Sequence, residues 1–178
     1  RDGGGHKQAG MGPLQAMTGM LDVATGRARE TQEVGRSLGL LLRGGEVIYL
    51  VGDLGAGKTC LTQGIAWGIG VEGFVRSPTF VLMNQYRGRL TLYHVDLYRL
   101  ESAAEVLDLG LEEVFAGRGV SVVEWADRAP MELAPEHLRI ELTTLAPERR
   151  RLRFAPVGVR YEALVDSLRD ILAKASRA

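Results

Sequence analysis

The stretch Gly52-Asp53-Leu54-Gly55-Ala56-Gly57-Lys58-Thr59 carries the plainest chemistry in this chain. Its spacing is that of a phosphate-binding loop, G-x-x-x-x-G-K-[ST]. Glycines at 52, 55 and 57 let backbone N–H groups along the loop, through Asp53, Ala56 and on to Cys60, approach phosphate oxygens with no Cβ in the way. Lys58 can reach the terminal phosphates, and the Thr59 hydroxyl can ligate Mg2+. The context agrees with the motif. The apolar run Val47-Ile48-Tyr49-Leu50-Val51 reads as a buried strand, and Leu61, Ile65, Ala66 and Ile69 recur at helical spacing. The helix start adds positive dipole character where anions would lie. A nucleoside triphosphate is the ligand this arrangement predicts.

Two acids outside the loop complete the chemistry. Phosphate-loop hydrolases need a carboxylate at the end of a second strand to hold Mg2+. Val120-Ser121-Val122-Val123-Glu124 is an apolar run ending in one, followed by Trp125, which could cover the site or fill core. In Thr91-Leu92-Tyr93-His94-Val95-Asp96-Leu97, alternation places His94 and Asp96 on one face. An acid near a strand end can orient or deprotonate an attacking water, so Asp96 is the candidate for hydrolysis of the γ-phosphate. His94 reads as a hydrogen-bonded structural residue. Ser77-Pro78-Thr79 falls where a loop hydroxyl, Thr79 foremost, could sense the γ-phosphate and let go after hydrolysis. The densest basic run, Arg149-Arg150-Arg151-Leu152-Arg153, could be a solvated strand edge or could contact phosphate. No N-K-x-D guanine-reading sequence is present, which favours ATP.

These residues need a scaffold. The pattern predicts a helix over Thr31–Arg43 stopped by Gly44-Gly45, then the first strand, the loop and its helix to about Gly70. Strand-like runs Phe80–Tyr86 and Leu90–Tyr98 flank a turn at Arg87-Gly88-Arg89. Short helices follow at Ala103–Leu109 and Leu111–Phe115, then the strand at Val120–Val123. Two later strands, His137–Leu142 and Arg151–Phe154, precede an amphipathic helix over Tyr161–Ala175. The expected fold is α/β, a three-layer sandwich of the P-loop NTPase kind with a partly parallel sheet and antiparallel additions.

At 178 residues the chain suits one domain. Residues 1–20 are Gly-rich and polar at the start, with no apolar core of a secretory signal, and are expected to be a tag or disordered leader. Met11, Met17 or Met20 could be the natural start; 21–178 would be the domain. Lysines and arginines number 22, matched by 22 acids, so the formal net charge is zero. That gives no support for strong autonomous binding to DNA or any other polyanion. Cys60 is the lone cysteine, which excludes an intrachain disulfide. No apolar run approaches the ~18–20 residues of a membrane span. These features predict a cytoplasmic protein without a membrane role.

The combination G-D-L-G-A-G-K-T at Gly52–Thr59, S-P-T-F at Ser77–Phe80, Y-H-V-D-L-Y-R-L at Tyr93–Leu100 and V-E-W at Val123–Trp125 resembles the TsaE (YjeE) family. The resemblance covers about Thr31 to Arg153. It implies a bacterial ATPase that works with TsaB and TsaD to install threonylcarbamoyl on tRNA, meeting tRNA indirectly through that complex. It implies a phosphate cradle at Gly55–Cys60, Mg2+ ligands at Thr59 and Glu124, and Asp96 as the acid of hydrolysis. Thr31 resembles a first-helix threonine near the nucleotide, and the segment around Arg149 a late hairpin near the base. One departure is Cys60, where the family commonly has threonine. The backbone N–H is kept, a hydroxyl contact would be lost, and a thiol there could make the site sensitive to oxidation. A small-molecule kinase shares the loop logic but needs an acceptor pocket and a lid, and no lid segment stands apart. A nucleotide-gated binding module with incidental hydrolysis is the remaining alternative.

Overall fold

The computed structural model describes residues 19–78, 82–130 and 133–177. The expected leader therefore falls almost wholly outside the described residues, as does Thr79.

The central strand β2 (Val47–Val51) is apolar throughout because both its faces are covered. Ile48 and Leu50 join one core, while Val47 and Tyr49 join the other. Around it runs a seven-stranded sheet in the order β1-β7-β6-β2-β5-β4-β3. Here β1 is Leu21–Thr25, β3 Met83–Arg87, β4 Thr91–Asp96, β5 Val120–Glu124, β6 His137–Thr144 and β7 Arg150–Val157. Strands β6, β2, β5 and β4 are mutually parallel. Strands β1, β7 and β3 add antiparallel edges. Helices α1 (Ala28–Leu41), α2 (Lys58–Gly68) and α5 (Val159–Ala175) cover one face, and α3 (Ala103–Asp108) with α4 (Leu111–Ala116) the other. This is the expected three-layer α/β sandwich.

The parallel register positions the chemistry. Leu50 pairs with Glu124, and Glu124 pairs with Asp96, so the carboxyl ends of β2, β5 and β4 lie side by side. The loop after β2 opens into the same crevice, the usual ligand position in such sheets.

Helix α2 is held there by α1 through glycines. A Cβ on Gly64 would sit 2.0 Å from the Gln32 carbonyl, and one on Gly35 2.4 Å from that of Leu61. Gly39 and Gly68 meet in the same way, so the two helices touch backbone to backbone. The β3–β4 hairpin locks their far ends. The Arg89 guanidinium donates to the carbonyls of Gly39 and Leu42 at the end of α1, the first of which also accepts the Leu42 N–H.

Several boundaries differ from expectation: β3 is Met83–Arg87, β4 is the shorter Thr91–Asp96, β6 runs on to Thr144, β7 spans Arg150–Val157, and α5 starts at Val159. Helix α1 begins at Ala28, one turn before Thr31. The hairpin loop is Gly88-Arg89-Leu90, since Arg87 already pairs with Thr91. Strand β1 was not foreseen at all. Its alternation turns Asp22 outward onto Arg151 and Arg153 of β7, at 3.0 and 3.3 Å. These arginines, Arg151 first, hold the Asp22 carboxyl below its ordinary range.

Candidate active site

The loop between β2 and α2 gets its shape from its glycines. Gly57 adopts φ +103 at the N-cap of α2, a left-handed conformation that a side chain would strain. Gly52 fits because its missing Cβ would lie 2.5 Å from the Leu142 carbonyl at the end of β6. The loop closes on itself through Ala56 N–H donating to the Asp53 carbonyl at 3.0 Å. It opens onto a cleft of about 310 Å3 lined by the loop, Ser77, Asp96, Tyr98, Glu124 and Trp125. A wider hollow of about 600 Å3 lies around Val47 and Tyr161, at the start of β2, but it holds none of this constellation.

The Lys58 ammonium donates to the carbonyls of Gly52 at 2.6 Å and Asp53 at 2.9 Å. It also stands 4.1 Å from the centre of the Trp125 ring, a cation–π contact. Burial lowers the Lys58 pKa, and Glu124, Asp96, Asp53 and Asp127 work against that. Trp125 reaches this position through a left-handed backbone, φ 57 at the end of β5. For a bulky residue that conformation is strained, and such strain gathers at functional sites.

Glu124 is 3 % exposed, and two residues bind its carboxylate. The Thr59 hydroxyl donates to its oxygens at 3.0 and 3.2 Å. His94 Nε2 lies 2.8 Å from Oε1. Thr59 and Glu124 thus form a compact pair of hard oxygen donors facing the phosphate loop. Among the described residues no group of three or more His, Cys, Asp or Glu could hold a metal. A pair of protein oxygens beside a phosphate cradle fits Mg2+, which takes most of its shell from substrate phosphates and water.

Asp96 lies next to Glu124 across the β4–β5 ladder and lines the same cleft. Ser77 donates its hydroxyl to Oδ2 at 2.6 Å, and the Tyr98 N–H donates to Oδ1 at 2.9 Å. The carboxylate is oriented from both sides and tied to the segment that leads to Thr79.

The structure gathers Gly55, Gly57, Lys58, Thr59, Cys60, Asp96 and Glu124 around one cleft. Gly52, Asp53 and Ala56 belong to the loop but do not line the cleft, and Thr31 and Arg149 are not among its lining residues either. The buried Thr31 hydroxyl meets that of Thr25 at 2.8 Å, fastening α1 to β1. Arg149 is exposed and supplies backbone to the β6–β7 turn. Its neighbour Arg150 reaches the loop instead, donating to the carbonyls of Ala56 at 3.1 Å and Gly55 at 3.2 Å. Within the basic run it is Arg150, not Arg149, that meets the loop, and the His94–Glu124 bond has no counterpart among the expectations. Strand alternation held the signal for Arg150, since Leu152 and Phe154 face the core with it while Arg151 and Arg153 face out. Cys60 Sγ is engaged with the Ala28 carbonyl at 3.2 Å. Burial pushes its thiol pKa up, with Arg150 opposing, and both features weigh against ready oxidation.

The family model for the threonylcarbamoyl adenosine biosynthesis protein TsaE matches residues 25–152. A Bacillus subtilis (strain 168) protein described as tRNA threonylcarbamoyladenosine biosynthesis protein TsaE is 43% identical over 140 residues, covering 78% of this chain and 87% of that protein. A Treponema pallidum protein of the same description is 44% identical over 128 residues, covering 72% of this chain and 95% of its own. The crystal structure of Bacillus subtilis YdiB superposes with a TM-score of 0.71 at 35% identity, covering 85% of this chain and 95% of that one. Among the described residues, no helix is long and apolar enough to cross a membrane.

Proposed function

The chain belongs to the TsaE family of threonylcarbamoyl adenosine biosynthesis proteins, and on that premise we propose that it hydrolyses Mg-ATP in support of tRNA threonylcarbamoyladenosine formation. In this reading it works in the cytoplasm with TsaB and TsaD and meets tRNA through them. The observation that carries the reading is the convergence of Lys58, Thr59, Glu124 and Asp96 on one cleft beside the phosphate loop.

The loop N–H groups and the α2 N-terminus bind the triphosphate, and Lys58 exchanges the Gly52 and Asp53 carbonyls for phosphate oxygens. Thr59 and Glu124 hold Mg2+, which when bound supplies positive charge to the phosphate oxygens. Asp96 aligns a water against the γ-phosphate and takes its proton as the bond to the β-phosphate oxygen breaks, leaving ADP and phosphate. Ser77 couples that carboxylate to the loop at 76–79, which reports the γ-phosphate to the partner surface. Trp125 and Tyr98, whose ring centres lie 4.8 Å apart, form one wall of the cleft.

Asp96→Ala tests this directly. ATP binding should stay near native while phosphate release falls ~10²–10⁴-fold, the usual worth of a positioned general base. Loss of binding along with turnover would give Asp96 a structural role and remove it from the chemistry.

A further inference from the structure

Glu124 is held from behind as well as from the cleft. His94 has no solvent exposure, and its Nε2 meets Glu124 Oε1 at 2.8 Å. A carboxylate oxygen only accepts, so Nε2 carries the proton and donates. The other ring nitrogen, Nδ1, is buried with no partner among the described residues. An imidazole with an idle nitrogen is a poor choice for filling core, because an aliphatic side chain would bury the same volume without that penalty. What the imidazole adds at this position is the bond to Glu124.

The sheet fixes that bond's geometry. In the β4–β5 ladder Asp96 pairs with Glu124 and His94 with Val122. His94 therefore lies two residues below Asp96 on the same face, beneath the Glu124 carboxylate. A glutamate has several rotamers to lose, and Thr59 alone would have to order it.

We propose that His94 is a positioning residue whose Nε2–H fixes the Glu124 carboxylate against Thr59 and so sets the affinity of that pair for Mg2+. The proposal rests on the Mg-ATP reading of the cleft. Outer partners of metal-binding carboxylates and histidines are typically worth ~10–100-fold in metal affinity.

The test is a Mg2+ titration of the full chain with a fluorescent ATP analogue, read by anisotropy, for the native protein, His94→Leu and His94→Gln. Leucine keeps bulk without a donor, and glutamine can place an amide N–H near the Nε2 position. The Leu variant should need ~10–100-fold more Mg2+ to reach half-effect. Its affinity for the analogue in EDTA should match native, and the Gln variant should return toward native Mg2+ dependence. A Leu variant with native Mg2+ dependence overturns the proposal, as does a folded Gln variant impaired as much as Leu. If neither variant folds, ¹⁵N-histidine spectra of the native protein decide: the His94 Nε2 resonance must move when Mg2+ joins the ATP complex, and an unmoved signal overturns the proposal. A native chain whose nucleotide affinity ignores Mg2+ overturns the Mg-ATP reading and this inference together.

Discussion

Lys58 sits at the junction of the phosphate loop, the Trp125 ring and the carboxylates at the carboxyl ends of β5 and β4. Lys58→Ala removes the mobile charge that the loop offers to terminal phosphates. We expect ATP turnover to fall at least ~100-fold, as when one transition-state donor is removed, and a phosphate-release assay would show it. Full turnover in that variant would refute the loop's role. Cys60 gives a pH-dependent prediction. Burial raises its pKa, so its thiolate fraction at any pH below that value is smaller than that of a free cysteine, whose pKa is about 8.5. Alkylation by iodoacetamide should be slower than for free cysteine at neutral pH. It should keep accelerating above pH about 8.5, where the free thiol levels off. An alkylation rate equal to or above that of free cysteine at pH 7 would contradict the burial argument.

At the scale of elements, the phosphate-loop helix owes its position to the α1–α2 contact. Gly64→Ala would place a methyl 2.0 Å from the Gln32 carbonyl, where only backbone stands to yield. Overpacking of this kind costs about 1–3 kcal/mol. The better helix propensity of alanine returns at most about 1 kcal/mol. Denaturant unfolding should therefore show a lowered midpoint, and an unchanged or raised one would mean the helices part freely. The same scale shows what the sequence could tell. Strands such as β2 and β5 are legible because covered faces demand continuous apolar runs, and the glycine-rich loop is legible because its geometry demands glycine. β1 is not, because Leu21-Asp22-Val23-Ala24-Thr25 is a short, half-polar edge whose pairing depends on β7, more than a hundred residues away. The His94–Glu124 bond is hidden for a related reason. It depends on the β4–β5 register, which neither strand specifies alone. Arg150 begins β7 and reaches the loop, while Arg149 lies in the turn before it, a distinction that run composition does not carry.

For the whole molecule, equal numbers of acidic and basic residues leave no net attraction for a polyanion. The arginine run is partly committed, with Arg150 on the loop and Arg151 and Arg153 on Asp22. Free tRNA should bind weakly and with a shallow salt dependence, because few counterions would be released. A steep fall in a strong affinity between 50 and 200 mM salt, roughly the range over which such release shows, would contradict this. On the proposed reading, dealings with tRNA fall to partners, so the cleft's work is to be measured in their presence. The most direct measurement is release of free phosphate from Mg-ATP by this chain, alone and with folded, competent TsaB and TsaD. The account predicts Mg2+-dependent release that the pair raises. No release above background with the pair present, or transfer of phosphate to a small molecule in place of water, would contradict it.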